Sequence, residues 1–249
     1  MVAVTDPRPA LITLSHGSRH PHADAGIAAL SAAAGDLLDL PAHPAHLDLS
    51  TPTLPDVALR LAVEGVREAV VVPLLFTRAF HATTDVPEAV RAATAVSGLR
   101  ITLADGLGTG PDLVDVLAER LTVDRPDHRD TVLHPVGTSS ARATADLTRL
   151  GAELAERTNR RIDVIAATGP GGGPDAVLDR ARAAGSLHVL PLFVTRGLLL
   201  DRLTDRLPAT RPGGPDISVS APLSPDLAGI VATRYSDALN SDRTPACVP

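Results

Sequence analysis

The chain has 249 residues and a formal net charge of −6, which is long enough for two domain cores and too acidic for the basic stripe of a nucleic-acid surface. Three Phe, one Tyr and no Trp make the cores aliphatic and leave little for stacking on aromatic platforms. All 23 basic residues are Arg, which excludes Schiff-base chemistry and a P-loop lysine, and the single Cys247 excludes an intrachain disulfide or a thiolate metal cluster.

Taken in order, strand and helix alternate. Residues 1–9 carry Asp6, Arg8 and two prolines, without the apolar run of a signal peptide. An apolar strand over 10–14 stops at Ser15-His16-Gly17-Ser18-Arg19, and an Ala- and Leu-rich helix follows over 24–38. A strand is expected over 45–49, a helix over 54–64, and a β-branched strand over 68–75 that reads as covered on both faces. Helix 86–95, with Pro87 in its first turn, strand 99–103 and helix 111–121 complete the first half. The polar, Pro-containing stretch 124–130 is the expected linker. The alternation resumes with strand 131–136, helix 141–157, strand 162–167, helix 174–184, strand 187–193, a strand near 217–219 and helix 225–239; 241–249 reads as a loose tail. No segment approaches the roughly 18 apolar residues of a membrane span, so a soluble, cytoplasmic protein with no membrane partner is expected.

The halves repeat each other. Gly137 follows Gly17 by 120 residues, Pro174-Asp175 follows Pro55-Asp56 by 119, and Pro191-Leu192 with Thr195-Arg196 follows Pro73-Leu74 with Thr77-Arg78 by 118. In this register His16 falls opposite Val136 and His81 opposite Leu199. Losing both imidazoles together is what one shared chemical role in the first half predicts. The expected fold is α/β: two tandem, duplicated βα domains, each a parallel four-stranded sheet flanked by helices, over 1–123 and 131–240.

His16 ends one buried strand and His81 follows another, so the two imidazoles are expected to face one cleft at the carboxyl ends of parallel strands. A lone His there reads as a satisfied structural residue; the pair, with its flanking motifs, reads as functional. His20, His22, His43 and His46 read as solvated loop residues, and His134 and His188 as core or edge residues of strands. Asp85 serves equally as a helix N-cap or a ligand. Gly169-Pro170-Gly171-Gly172-Gly173 lacks the Gly-Lys-Ser/Thr ending of a phosphate loop and reads as a flexible loop. A hydrolase using Ser18 with His16 is a poor reading, since the two are two residues apart on one turn and no orienting acid is evident.

His16-Gly17-Ser18-Arg19, Leu47-Asp48-Leu49 before Thr53-Leu54-Pro55, and Val71-Val72-Pro73-Leu74 followed by His81-Ala82-Thr83-Thr84-Asp85-Val86-Pro87 resemble the sirohydrochlorin chelatases, the class II cobalt- and iron-inserting enzymes. Leu190-Pro191-Leu192-Phe193 with Gly197-Leu198-Leu199-Leu200-Asp201-Arg202 resembles the degenerate second repeat of two-domain members, as does Gly137-Thr138-Ser139-Ser140. The resemblance implies insertion of Co²⁺ or Fe²⁺, with Ni²⁺ also open, into a sirohydrochlorin-like tetrapyrrole, without an organic cofactor. It gives His16 and His81 as metal ligands and proton acceptors. Asp48 stands where the family most often has Glu, one methylene shorter, so its ligand role is open. Ser18 and Arg19 are candidates for the substrate carboxylates. Arg78 lies near the same cleft, but Arg196 stands at its place in the repeat, and a scaffold role fits equally. Neutral imidazole suits metallation, because its pKa of about 6.5 lies near operating pH and it binds these divalent ions without the tenacity of a thiolate. A tetrapyrrole or metal carrier on the same scaffold is the alternative. The two repeats can pack on each other, which permits a monomer; the sequence leaves the oligomeric state open.

Overall fold

In a computed structural model of the chain, residues 8–77, 84–124, 130–207 and 215–243 are described. The elements in order are β1 Ala10–Ser15, α1 Ala23–Leu38, β2 Ala42–His46, α2 Leu54–Val63, β3 Glu68–Pro73, α3 Val86–Ser97, β4 Arg100–Leu103 and α4 Pro111–Asp124. The second series is β5 Asp130–Pro135, α5 Ala141–Thr158, β6 Arg161–Val164, α6 Pro174–Ala184, β7 Ser186–Leu192, α7 Leu198–Thr204, β8 Asp216–Val219 and α8 Ala228–Arg243. They form two parallel four-stranded sheets of identical topology, β2-β1-β3-β4 and β6-β5-β7-β8. None of the described helices is long and apolar enough to cross a membrane.

Sequence explains the central strands directly. β1 pairs with β2 on one edge and β3 on the other, helices lie on both its faces, and Leu11, Ile12, Thr13 and Leu14 are fully buried. Ile12, Leu14, Val71, Leu54, Val57 and Leu61 share the core beneath α2 and α3. On the opposite face Thr13 reaches α1 through a 2.5 Å hydroxyl contact with Ser31. Helix α2 starts at a capping box, with Thr53 and Asp56 each bonding the other's backbone N–H.

Several expectations shift, among them β6, which ends at Val164 rather than 167, and α8, which starts at Ala228 rather than 225 and runs to Arg243 into the expected tail. β2 lies at Ala42–His46 rather than 45–49, because its register is set by pairing Leu11 with Ala42 and Ser15 with His46. The short helix α7 is an addition. The division into units also falls elsewhere than at 124–130: one unit is Met1–Gly108 with Ser224–Pro249, and the other is Thr109–Leu223. Helix α4 belongs to the second unit, where Arg157 donates to Asp115 at 3.2 Å and Ser220 to Asp124 at 2.5 Å. Helix α8 belongs to the first, where Arg234 donates to the carbonyls of Gly106 and Leu107, and Tyr235 to that of Pro9.

Candidate active site in the first unit

The carboxyl end of β1 is held on both sides. Leu74 N–H donates to Leu14 O at 2.8 Å, Leu47 N–H to Ser15 O at 2.9 Å, and Asp48 N–H to His16 O at 3.1 Å. His16, half-buried, therefore sits on a backbone that continues the strand's ladder and cannot slide. The chain then turns at Gly17, where φ is +90° and a Cβ would lie 1.7 Å from Asp48 O. No residue but glycine fits.

Beneath this turn lies a polar network that includes two histidines expected to be solvated. His46 is buried, with Nδ1 2.7 Å from Ser15 Oγ and Nε2 3.9 Å from Asp24 Oδ1. Burial pushes its imidazole below the ordinary pKa, partly offset by the Asp24 carboxylate. His20 is also buried, with its ring edge-on to that of His22, 5.6 Å away. Both lie where the β1 turn and the start of α1 meet β2. Among the described residues no three His, Cys, Asp or Glu side chains form a metal-holding group.

Ser18 Oγ accepts from His20 N–H at 3.1 Å, and Ser18 N–H donates to Ser50 Oγ at 3.1 Å. Ser50 Oγ in turn lies 3.0 Å from both Ser18 O and Asp24 Oδ1. Arg19 and Asp48 are exposed. Asp48 Oδ1 accepts from Leu49 N–H at 2.7 Å, and Ser50 N–H reaches back to Asp48 O at 2.8 Å. The structure thus brings His16, Ser18, Arg19 and Asp48 onto two bonded loops. His81 and Arg78 lie outside the described residues. A cavity of about 700 Å³ opens at the same end of the sheet, beyond β3 and β4, lined among others by Phe76, Thr77, Asp105 and Arg234.

The second unit repeats this backbone without its chemistry. Thr168 N–H donates to Val136 O at 3.1 Å, as Asp48 does to His16. Gly137, at φ +103°, again leaves no room for a Cβ, which would meet Thr168 O at 2.7 Å. Val136, where His16 would stand, is 45% exposed.

Residues 10–123 match the family model described as CbiX. Over 208 residues, 80% of this chain and 77% of the relative, the sequence is 26% identical to a sirohydrochlorin ferrochelatase of Priestia megaterium. The chain is thus similar to sirohydrochlorin chelatases, over its first half by the family model and over most of its length by this relative. Over 75 residues it is also 29% identical to a sirohydrochlorin cobaltochelatase of Sulfurisphaera tokodaii, a match spanning 30% of this chain and 60% of that relative. The fold of SirB from Bacillus subtilis, described with Fe³⁺, superimposes with a TM-score of 0.75 at 23% identity, covering 94% of this chain and 97% of that one. The duplicated parallel sheets thus share the fold of SirB.

Proposed function

We propose that this protein inserts a divalent metal, Co²⁺ or Fe²⁺, into sirohydrochlorin, in the cytoplasm and without an organic cofactor. Metallation removes two pyrrole N–H protons as one M²⁺ enters the ring, so the site must accept protons and surrender metal. In this reading His16 and His81 do both, as neutral imidazoles. The observation that carries it is the contrast within the chain: one turn, with the same glycine and the same interstrand hydrogen bond, bears His16 in one unit and an exposed Val136 in the other. The scaffold does not require the imidazole, so its presence calls for chemistry.

Asp48 supplies a carboxylate beside His16. Its Oδ1 is engaged by Leu49 N–H, so Oδ2 is the oxygen assigned to metal. Arg19, exposed on the same turn, and Arg78 are assigned to the carboxylates of the substrate, and Ser18 to the shape of the turn as well as to substrate. The reading is supported by the activities named for two relatives, one a ferrochelatase and one a cobaltochelatase. The test is to mix the protein with sirohydrochlorin and Co²⁺ or Fe²⁺ and follow visible absorption. Metallation faster than the spontaneous reaction is expected; binding with no acceleration would leave a carrier.

A further inference from the structure

We propose that Leu49 is a substrate-contact residue, an apolar side chain held beside His16 to meet the tetrapyrrole macrocycle. The proposal rests on the chelatase reading above. Three non-glycine residues among those described have positive φ: Asp39, Leu49 and Asn159. Asp39 and Asn159 are polar C-caps of α1 and α5, where a left-handed residue is routine. Leu49 is different. It is the central residue of a three-residue turn closed by Ser50 N–H to Asp48 O at 2.8 Å, with φ of 63°. That geometry is rare and strained for a branched side chain.

The fold does not ask for a leucine here. In the second unit the residue 120 positions on is Gly169, also left-handed, with φ of +94°. Glycine takes this conformation freely, so the left-handed step at this place is available without strain. Nor does the side chain repay the strain through the core, since Leu49 is 42% exposed. What the strained turn does achieve is placement. Asp48 N–H bonds His16 O, Leu49 N–H bonds Asp48 Oδ1, and Ser50 Oγ is tied to the Ser18 backbone. Leu49 is thereby locked to the loop that carries His16, with its side chain open to solvent.

A tetrapyrrole presents a broad flat ring edged by carboxylates. Its charged rim suits Arg19, while its faces need apolar contact. Aromatic residues are scarce, four in the whole chain with Phe76 in the cavity beyond β3, so on the His16 side an aliphatic side chain serves for that contact. A leucine fixed in one place by its backbone loses little freedom on meeting the ring.

The experiment is a metal-free titration with sirohydrochlorin, followed by absorbance, on wild type, Leu49→Gly, Leu49→Asn and Leu49→Met, with a thermal melt of each. Gly and Asn suit the left-handed turn, so their melting temperatures should equal or exceed that of wild type. Their Kd for sirohydrochlorin should rise about tenfold or more, as for loss of a buried Leu contact. Met keeps apolar contact and should stay within about threefold of wild type. Wild-type Kd in both Gly and Asn variants overturns the proposal, and so does weakening accompanied by a lower melting temperature, which marks Leu49 as structural. If wild type metallates sirohydrochlorin while the Gly and Asn variants bind it normally, only the Leu49 proposal fails. If wild type neither binds nor metallates it, the chelatase reading fails, and this one with it.

Discussion

Ser15 Oγ lies 2.7 Å from His46 Nδ1, and the two residues face each other in register at the carboxyl ends of β1 and β2. Both are buried. The contact fastens the strand that leads into His16 to the strand that leads into Asp48, so the spacing of the two candidate metal-binding groups is set one residue before His16 and two before Asp48.

Cutting that contact should loosen the site. His46→Phe keeps an aromatic ring but strips Ser15 of its side-chain partner, a loss of about 1–3 kcal/mol for a buried polar group left short of bonds. Urea denaturation of His46→Phe, Ser15→Ala and the double variant should show non-additive losses, since the two side chains share one bond. Metallation should fall in both single variants. Additive losses would mean that the two residues act separately.

Gly17 offers a sharper steric test. Gly17→Ala places a Cβ 1.7 Å from Asp48 O, a backbone atom that cannot step aside, in addition to the strain of φ +90°. Gly65 has the same φ of +90° with nothing near its Cβ position. Gly65→Ala should therefore cost about 1 kcal/mol, the left-handed strain alone, while Gly17→Ala should cost several times more and abolish metallation. Equal melting temperatures for the two would contradict the close approach of the His16 and Asp48 loops.

Stability should also depend on pH through buried imidazoles. Burial lowers the pKa of His46, His43 and His134 from the ordinary 6.5, with Arg60 adding to the effect at His43. In each case the folded protein binds fewer protons than the unfolded chain once pH drops past about 6.5, so stability is full above that value and declines as pH falls. At His134, Nδ1 donates to Ile165 O at 2.6 Å, and Nε2 is buried with no hydrogen-bond partner among the described residues. His134→Gln keeps a donor and does not titrate. Its melting temperature between about pH 7 and pH 5 should fall less than that of wild type; parallel curves would show that His134 does not contribute.

Much of this was legible in the sequence, for physical reasons. β1 and β3 are continuous apolar runs because hydrogen-bonded neighbours and helices cover them on both sides, and the spacing of Gly17 and Gly137 exposes the duplication. β2 is harder to place, since Pro44 and two histidines hide a strand whose burial depends on Ser15. His46 looks solvated until that register is known. The ownership of α4 and α8 is invisible locally, because an amphipathic pattern says that a helix packs on a sheet without saying which. Leu49 carries no sequence signal beyond its alignment with Gly169; the left-handed turn appears only with the backbone.

The central claim is that His16 and His81 together perform metallation. The direct measurement is the initial rate of Co²⁺ insertion into sirohydrochlorin by His16→Ala, His81→Ala and the double variant, at matched folded concentration. Each single variant should be slower by about tenfold or more, as for loss of a proton acceptor, and the double variant should fall to the spontaneous rate. A double variant that still metallates sirohydrochlorin at the wild-type rate would contradict the account.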